Sequence, residues 1–257
     1  MLLLIDQGNT RAKFQLRDKK GAIAASFNLN NLEIAEARFS DNLKNISRIV
    51  IASVANTANK LWLTSFLQTF IPDVKIDFAV TGKSFDLVHK VVTNSYTEVS
   101  QMGIDRWLAT IAAADYCRAE NCVVVDLGSA ITVELINANG AHEGGYIIPG
   151  MQMMLKSLFA DTAQVKVPNL TAQQNLNPGK NTASCVSSGI LNAVVGIIHR
   201  SVAQLVELSP NSPTRVLLTG GDVALIESNI DIAEKKENLV FDGLYLWQNS
   251  AINGRGV

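Results

Sequence analysis

Two short stretches of the sequence place an acid, a glycine and small polar residues directly after an apolar run. In LLLIDQGNT, Asp6 ends the run and Gly8 follows two positions later; in VVVDLGSAIT, Asp126 and Gly128 repeat this arrangement. A carboxylate at the end of a buried strand needs a partner, and a glycine lets the backbone turn and a ligand approach closely. The combination suits a site that holds phosphate through a cation, because the turn donates hydrogen bonds and the carboxylate holds the neutralising metal.

One such stretch is weak evidence, because an Asx-turn after a strand is common. The presence of two copies strengthens the functional interpretation. Asp6 and Asp126 lie 120 residues apart, nearly half of the 257-residue chain. This spacing predicts a duplicated unit with one copy in each half.

Strands and helices alternate along the chain, which favours an α/β fold. Strands are predicted at 48–54 and 74–80, and helices at 58–70 and 103–119. The residues after the Gly-Gly pair near 220 and the end of the chain are also expected to be helical. A hairpin opens each half, so mixed sheets fit better than a purely parallel one. We place the boundary near 119–121, which gives domains 1–119 and 120–257.

The stretch 182–208 is predicted to be one long helix with Thr182 as its N-cap. Gly189 and Gly196, seven residues apart within it, allow close helix packing and are compatible with a dimer seam.

Composition excludes several classes of protein. A formal net charge of −1 provides no basic field for nucleic acid. The apolar start is too short for a signal peptide, and the longest apolar run, 190–198, is too short to span a membrane. Three cysteines and three histidines without metal-ligand spacing argue for reduced thiols and against a zinc site. We therefore expect a soluble, cytoplasmic protein with no nucleic-acid or membrane partner.

The two Asp-containing hairpins resemble the phosphate motifs of the acetate and sugar kinase, heat-shock 70 and actin superfamily. The Gly-Gly of LLTGGDVAL (217–225) sits where that superfamily has its adenosine motif. A narrower resemblance, to type III pantothenate kinase, covers nearly the whole chain. It is carried, in order, by DQGNTRAKF (6–14), GIDRWLA (103–109), DLGSAITVELI (126–136), GGYIIPGMQMM (144–154) and NTASCVSSG (181–189). One departure is Ser129, where the family pattern has Thr; Ser keeps the hydroxyl.

The resemblance implies two related ribonuclease H-like domains with mixed sheets, the actin-like ATPase architecture, facing a nucleotide cleft. It also implies phosphorylation of pantothenate to 4'-phosphopantothenate by ATP with Mg²⁺, the first step of coenzyme A biosynthesis. A monovalent cation, K⁺ or NH₄⁺, and a homodimer belong to the same implication.

On the substrate side, the resemblance makes Asp105 the general base on the pantothenate hydroxyl and Arg106 the clamp for the pantothenate carboxylate. Asp105 alternatively only complements the dipole of the helix beginning near Gly103, and Arg106 is alternatively a surface side chain. Tyr96 is a substrate contact or a loop tyrosine packed on the sheet. The resemblance adds Gly103 and Ile104 to this side, and a substrate contact of Thr182 across a dimer interface.

On the nucleotide side, the resemblance makes Asp126 the ligand of the monovalent cation and Asp6 the acid near Mg²⁺. The remaining groups implied to bind ATP or its phosphates are Gln7, Gly8, Asn9, Thr10, Arg11, Ala12, Lys13, Gly128, Ser129 and Thr132. Lys13, on an exposed strand, is alternatively only solvated.

Two other functions are compatible with the same motifs. A kinase for another small alcohol or sugar would keep both Asp hairpins but change GIDR, and a non-catalytic, nucleotide-dependent regulator would keep the fold without turnover. The presence of Asp105 counts against the regulator. TGKS (81–84) looks like part of a phosphate-binding loop, but Asp77 occupies the position of its first glycine, so we interpret it as a plain turn.

Overall fold

Two five-stranded sheets with the same strand order form the framework of the protein. The structure is a computed structural model and describes residues 1–9, 11–30, 45–159, 170–171 and 176–252. The first sheet has the order β3-β2-β1-β4-β5, and its strands are β1 Leu2–Gln7, β2 Arg11–Arg17, β3 Ile23–Asn30, β4 Arg48–Ser53 and β5 Lys75–Phe78. β1 pairs antiparallel with β2 and parallel with β4, so the sheet is mixed, as predicted.

The second sheet repeats this arrangement with the order β10-β9-β8-β11-β12. Its strands are β8 Asn121–Leu127, β9 Ala130–Ile136, β10 His142–Pro149, β11 Thr214–Thr219 and β12 Ala233–Lys235. β8 pairs antiparallel with β9 and parallel with β11, as β1 does with β2 and β4. The hairpin that opens each half and the internal repeat are therefore confirmed by the topology.

The other elements are α1 Thr57–Phe70, β6 Ser84–Asp86, β7 Val91–Thr93, α2 Ile104–Cys117, α3 Met151–Phe159, α4 Thr182–Leu208 and α5 Leu239–Ile252. The predicted helices 58–70, 103–119 and 182–208 are confirmed within two residues at each end. The helix expected after the Gly-Gly pair is wrong: two short 3₁₀ turns, Val223–Leu225 and Glu227–Asn229, follow β11 instead.

Burial on both faces explains why β1 and β8 are central strands. Leu3, Leu4 and Ile5 are consecutive and all fully buried, as are Val123 and Val125 on β8. Such continuous burial is typical of strands with parallel neighbours and helices over the sheet. The first core includes residues of α1 as well as β1, β2 and β4, and the second core joins β8 and β9 to α4.

The N-terminus of α4 is capped one residue earlier than predicted. Asn181, not Thr182, is the N-cap: its side-chain oxygen accepts a hydrogen bond from the Ser184 backbone N–H at 2.9 Å. The Ser184 hydroxyl in turn accepts one from the Asn181 N–H at 3.2 Å. An asparagine side chain satisfies the first turn as well as a threonine does, so the prediction failed by choosing between two adjacent capping residues.

By length and composition, α4 is the one helix in the described part of the chain that could cross a membrane. The apolar run within it that the sequence shows, 190–198, is by itself too short to span a membrane. Apolar core helices of globular proteins also have this length and composition. Leu191, Val194 and Ile198 lie in the core of the second sheet, which accounts for the apolar character of one face of α4.

The chain forms two compact units, each containing one sheet. The first consists of Met1–Asp86, Tyr96–Ala112 and Leu239–Val257, and the second of Leu87–Ser95 and Ala113–Asn238. In this respect the observed units differ from the predicted domains 1–119 and 120–257, because the closing helix α5 belongs to the first unit.

Long-range contacts explain why α5 packs in the first unit. The guanidinium of Arg17, on β2, lies 2.6 Å from an Asp242 carboxylate oxygen, and the Arg17 side chain is buried. Arg17 also stacks over the ring of Tyr245 at 4.7 Å. Gly243 faces the backbone carbonyl of Leu108 so closely that a Cβ there would collide with it. These contacts fix α5 by charge and by shape.

A buried polar trio stabilises the second unit. The imidazole Nε2 of His142 lies 3.0 Å from a carboxylate oxygen of Glu134, and its Nδ1 lies 3.0 Å from the hydroxyl of Ser95. Both the His142 and the Glu134 side chains are almost completely buried. A buried carboxylate without its partner is costly, so each member of the pair depends on the other.

Replacing His142 with alanine should therefore lower the free energy of unfolding by about 3 kcal/mol or more, because it removes the imidazole that lies 3.0 Å from the buried Glu134 carboxylate. Urea denaturation followed by circular dichroism measures the change. His199→Ala, at an exposed position on α4, is the matched control and should change stability by less than about 0.5 kcal/mol. Equal stability of the two variants would contradict the importance assigned to the trio.

Candidate nucleotide and substrate sites

The first Asp turn lies at the carboxyl end of β1. Asp6 pairs across the antiparallel ladder with Lys13, and the Lys13 Nζ lies 3.8 Å from an Asp6 carboxylate oxygen. The Asp6 side chain is largely buried, whereas that of Lys13 is half exposed. The Gly8 N–H donates to the carbonyl of Arg11 at 2.9 Å and closes the turn. The sequence-predicted charges at this turn are thus brought together in one place.

Not every residue predicted at this turn presents its side chain there. Gln7 is buried: its amide N–H donates to the Asn59 carbonyl at 3.2 Å, and its oxygen accepts from the Ser53 hydroxyl at 2.8 Å. Ala12 lies in the first core. Alternation along β1 and β2 explains both, because neighbouring side chains point to opposite faces. Asn9 and Arg11 are exposed; Thr10 lies outside the described residues.

Asp105 stands in the first turn of α2. Its Oδ1 accepts a hydrogen bond from the backbone N–H of Arg106 at 2.8 Å, so it does complement the helix N-terminus. A Cβ at Gly103 would lie 2.6 Å from the same oxygen, which explains why a glycine precedes it. The other carboxylate oxygen, Oδ2, takes part in none of the hydrogen bonds found among the described residues. Stabilising the helix end therefore occupies only one of the two oxygens.

Arg106 is a buried side chain, 7% exposed, and not a surface arginine. Its Nη1 donates to the Tyr96 hydroxyl at 2.7 Å, and its guanidinium carbon lies 5.6 Å from the centre of the Tyr96 ring. The side chain of Ile104 is buried in the interior, so only its backbone is available at the start of α2. The structure thus places Arg106 against Tyr96 and next to Asp105 at the start of α2; their roles stay predictions.

The second Asp turn lies at the carboxyl end of β8, in the second unit. Asp126 pairs across the ladder with Thr132, and Gly128 donates through its N–H to the Ala130 carbonyl at 3.1 Å. Ser129 is exposed at the tip of the turn, and its carbonyl accepts from the Gly150 N–H at 3.1 Å. Two hydroxyls and one carboxylate are therefore presented around a single tight turn.

The Gly-Gly turn after β11 packs directly against the Asp126 turn. Gly220 has φ +101°, and a Cβ there would lie 2.6 Å from Asp126 Oδ1 and would collide with the Leu127 carbonyl. The same carbonyl accepts from the Asp222 N–H at 3.1 Å. Burial raises the pKa of the Asp222 carboxyl above its ordinary value. Because β8 and β11 are parallel neighbours, their carboxyl ends deliver both turns to one sheet edge.

Each Asp turn offers a single carboxylate, which fits a cation that phosphate and water also hold. In the part of the chain that the structure describes, no group of three or more His, Cys, Asp and Glu side chains converges on a metal position. Magnesium in phosphoryl-transfer sites takes one or two carboxylates and completes its shell with phosphate and water. Asp6 fits that requirement with its oxygen chemistry and its place beside the turn. The three cysteines are free thiols, as expected.

Sequence reasoning did not foresee two features of these sites. The contact of Gly220 with Asp126 was missed, although the Gly-Gly pair itself was the signal that could have indicated it. The close approach of Gly150 to the Ser129 carbonyl was also missed. The signal that could have indicated it is the Pro-Gly pair formed by the last residue of β10 and Gly150. Thr182 is exposed at the first turn of α4. Its predicted contact with substrate stays a prediction.

The repeated sheet order and the two Asp turns define the fold class, the actin-like ATPase architecture. Among solved structures, the chain is similar to a protein from Campylobacter jejuni described as a conserved Baf family transcriptional activator, with a TM-score of 0.66 and 23% identity over 98% of this chain and 99% of that one. It is also similar to a protein from Sinorhizobium meliloti described as a 2-dehydro-3-deoxygalactonokinase, with a TM-score of 0.53 and 13% identity over 99% of both chains. At these identities the likeness concerns the fold.

Sequence comparison narrows the class to one family. The type III pantothenate kinase family matches residues 2–204. A type III pantothenate kinase of Marinobacter nauticus is 36% identical over 247 residues, covering 95% of this chain and 96% of the relative. That of Colwellia psychrerythraea is 31% identical over 240 residues, 93% of this chain and 92% of the relative. The chain belongs to the type III pantothenate kinase family.

The Gly-Gly turn allows a test with an internal control. Gly220→Ala should lower both thermal stability and nucleotide binding, because the added Cβ meets Asp126 and Leu127 and a positive φ costs an alanine about 1–2 kcal/mol. Gly221→Ala adds a Cβ with nothing within 4 Å and is the matched control. Thermal melting with and without ATP measures both effects. Equal melting temperatures for the two variants would contradict the close packing described above.

Proposed function

We propose that this protein transfers the γ-phosphoryl group of ATP to the primary hydroxyl of pantothenate and that it acts in the cytoplasm. The product, 4'-phosphopantothenate, is the first intermediate of coenzyme A biosynthesis. Family membership gives the reaction. The observation in this chain that supports it most directly is the group at the start of α2, where Asp105 stands next to a buried arginine paired with Tyr96.

Asp105 is proposed as the general base. An alcohol has a pKa far above that of any aspartate, so the carboxylate orients the hydroxyl and accepts its proton late, as the oxygen–phosphorus bond forms and ADP leaves. Oδ1 is held by the Arg106 N–H at 2.8 Å, which fixes the carboxylate while Oδ2 receives the proton. The helix-end role and the catalytic role are thus compatible, because they use different oxygens.

Arg106 is proposed to bind the pantothenate carboxylate. A guanidinium carries five N–H donors in a planar fork and can bind a carboxylate through two parallel hydrogen bonds. Its 7% exposure places the charge in a low-dielectric environment, where pairing with an anion is stronger than at the surface. The hydrogen bond to Tyr96 orients the fork, and Tyr96, Gly103 and Ile104 complete the substrate side as proposed contacts.

The remaining predicted residues are proposed to serve the nucleotide. Asp6 would hold Mg²⁺ either directly through a carboxylate oxygen or through a water molecule bound to the Mg²⁺. Asp126 would hold the monovalent cation, K⁺ or NH₄⁺. When bound, these cations neutralise the charge that develops on the transferred phosphoryl group. The surrounding polar groups, Asn9, Arg11, Lys13, Ser129 and Thr132, contribute charge and hydroxyl donors, and Gly8 and Gly128 allow the backbone to approach. Thr10 is proposed for the same role.

The chemistry can be tested by measuring phosphopantothenate formation from ATP, pantothenate and Mg²⁺, with K⁺ present or replaced by Na⁺. Asp105→Asn should lower kcat by about 10²–10⁴-fold, because an amide cannot accept the proton. Turnover should fall when Na⁺ replaces K⁺. Asp115→Asn, on the same helix, is the matched control and should retain turnover.

Each other outcome has a defined meaning. Full activity of Asp105→Asn would return this residue to a helix-end role. Equal rates in K⁺ and Na⁺ would refute the proposed requirement for K⁺ or NH₄⁺. Absence of turnover in folded wild-type protein would remove pantothenate as substrate, and a panel of alcohols and sugars would then distinguish another kinase from a non-catalytic regulator.

A homodimer is proposed as well, with Thr182 contacting the substrate of the partner chain. An apolar groove of about 680 Å³ lies between α3 and α4. Met153 and Leu158, which line it, are more than half exposed. Gly189 also lines the groove and has open space where a Cβ would lie. A second copy of the chain would cover this apolar surface, and the small residues on α4 would let the helices approach closely.

Gly189→Glu should convert a dimer to a monomer, because it places a charge in the proposed seam while improving helix propensity within the chain. Sedimentation equilibrium should give about twice the chain mass of 27.7 kDa for the wild type and one chain mass for the variant. Ser65→Glu, at an exposed position of α1, is the control and should leave the mass unchanged. A monomeric wild type would refute the dimer and the role of Thr182 across it.

A further inference from the structure

The turn TGKS (81–84) contacts both ends of the segment that leads into α2. The Thr81 hydroxyl donates to the backbone carbonyl of Met102 at 2.9 Å. The Lys83 Nζ donates to the backbone carbonyl of Tyr96 at 3.3 Å. Both residues and the whole segment 96–102 lie in the first compact unit. The segment begins with Tyr96 and ends immediately before Gly103, so both proposed substrate groups adjoin it.

The structure excludes a phosphate-binding loop as the role of this turn. A P-loop continues into a helix whose N-terminus binds phosphate, whereas Ser84 begins the strand β6. Asp77, in the position of the first glycine, lies on β5 and pairs with Arg48 at 2.7 Å. The turn therefore lacks both the glycine and the helix that bind phosphate in such loops.

Few side chains of the segment are buried, so the hydrogen bonds at its ends, from Thr81, from Lys83 and from Arg106 to the Tyr96 hydroxyl, contribute much of what holds it. The exposed side chains of the segment are Thr97, Glu98, Ser100 and Gln101. Met102, the last residue of the segment, is buried. A single 3₁₀ turn, Val99–Gln101, gives it local structure. A segment with few buried contacts opens easily unless its ends are held. Thr81 and Lys83 hold those ends.

We propose that Thr81 and Lys83 are positioning residues for the pantothenate side of the site: by holding the two ends of segment 96–102, they fix Tyr96 and the first turn of α2. This inference rests on the proposed function, since it assumes that Tyr96 and Arg106 bind the substrate. Neither residue touches the reacting atoms. Without either hydrogen bond, the segment has to become ordered when the substrate binds, which uses part of the binding free energy. The affinity for pantothenate then falls, while the chemical step is unchanged.

The test compares Thr81→Val and Lys83→Met with two rescue variants, Thr81→Ser and Lys83→Arg, which restore a donor. Loss of either bond should raise KM for pantothenate about three- to tenfold, the range expected for one hydrogen bond. The values of kcat and KM for ATP should stay within about twofold, and the rescue variants should return towards wild type. Thr69→Val on α1 and Lys20→Met in an exposed turn are the matched controls and should behave as wild type.

Three results would overturn the proposal. An unchanged KM for pantothenate would show that the segment needs no support from the turn. A raised KM for ATP would return the turn to phosphate binding. The third result comes from the neutral alcohol analogue of pantothenate as substrate. If Lys83→Met raises KM for pantothenate but not for this analogue, the lysine acts only through its charge on the substrate carboxylate. An equal rise in KM for both substrates supports positioning.

Hydrogen–deuterium exchange separates this inference from the proposed function. The amides of 96–102 should exchange faster in Thr81→Val and Lys83→Met than in the wild type and the controls, whether or not pantothenate is the substrate. Unchanged exchange would refute the positioning role even in an active enzyme. Faster exchange in a protein that does not phosphorylate pantothenate would keep the role of the turn and refute only the reaction.

Discussion

The rest of the structure depends on one constraint, which is that each central strand is buried on both faces until it reaches a carboxylate. β1 and β8 each have an antiparallel partner on one side and a parallel partner on the other. A charged side chain in the middle of such a strand would be buried without water, which is costly. The carboxyl end of the strand is the first position where a carboxylate avoids this cost. There the hairpin turn and the end of the parallel neighbour meet. The sheet order thus decides where charged chemistry can occur.

The two turns share this origin but differ in how their carboxylates are surrounded. Asp6 has a lysine from the neighbouring strand within 3.8 Å, whereas Asp126 is approached by the backbone at Gly128 and Gly220. The first environment supplies a positive charge from a side chain, whereas in the second the backbone itself packs against the carboxylate, which at Gly220 only a residue without a side chain allows. A repeated scaffold has therefore been given two different electrostatic environments by substitutions beyond the shared Asp and Gly.

Local patterns made much of this predictable from the sequence. The hairpins, the repeat and the bounds of α4 follow from apolar periodicity and glycine positions, which act over a few residues. Only the family resemblance assigned Tyr96, Asp105 and Arg106 to the substrate side, and the structure adds the hydrogen bond between Arg106 and Tyr96. The functional roles of these residues remain predictions.

The misses have long-range or competing causes. The partners Arg17 and Asp242 are 225 residues apart, so no local pattern indicates that α5 packs in the first unit. Glu134 and His142 meet only after β9 and β10 have paired. Asn181 and Thr182 both cap helices well, so the sequence does not distinguish them, and the structure has Asn181 as the N-cap. The interior positions of Gln7 and Ala12 follow from strand alternation, which a motif copied residue by residue ignores.

The placement of α5 has a consequence for how the protein is made. Because the first unit includes both the first and the last described elements of the chain, β1 and α5, no continuous fragment contains it without the second unit. During synthesis the chain emerges from its N-terminus, so every residue of the second unit is translated before the helix that completes the first. Until α5 has been translated, the Arg17 side chain, which is buried in the folded protein, cannot form its ion pair with Asp242. The half of the molecule that is begun first is finished last.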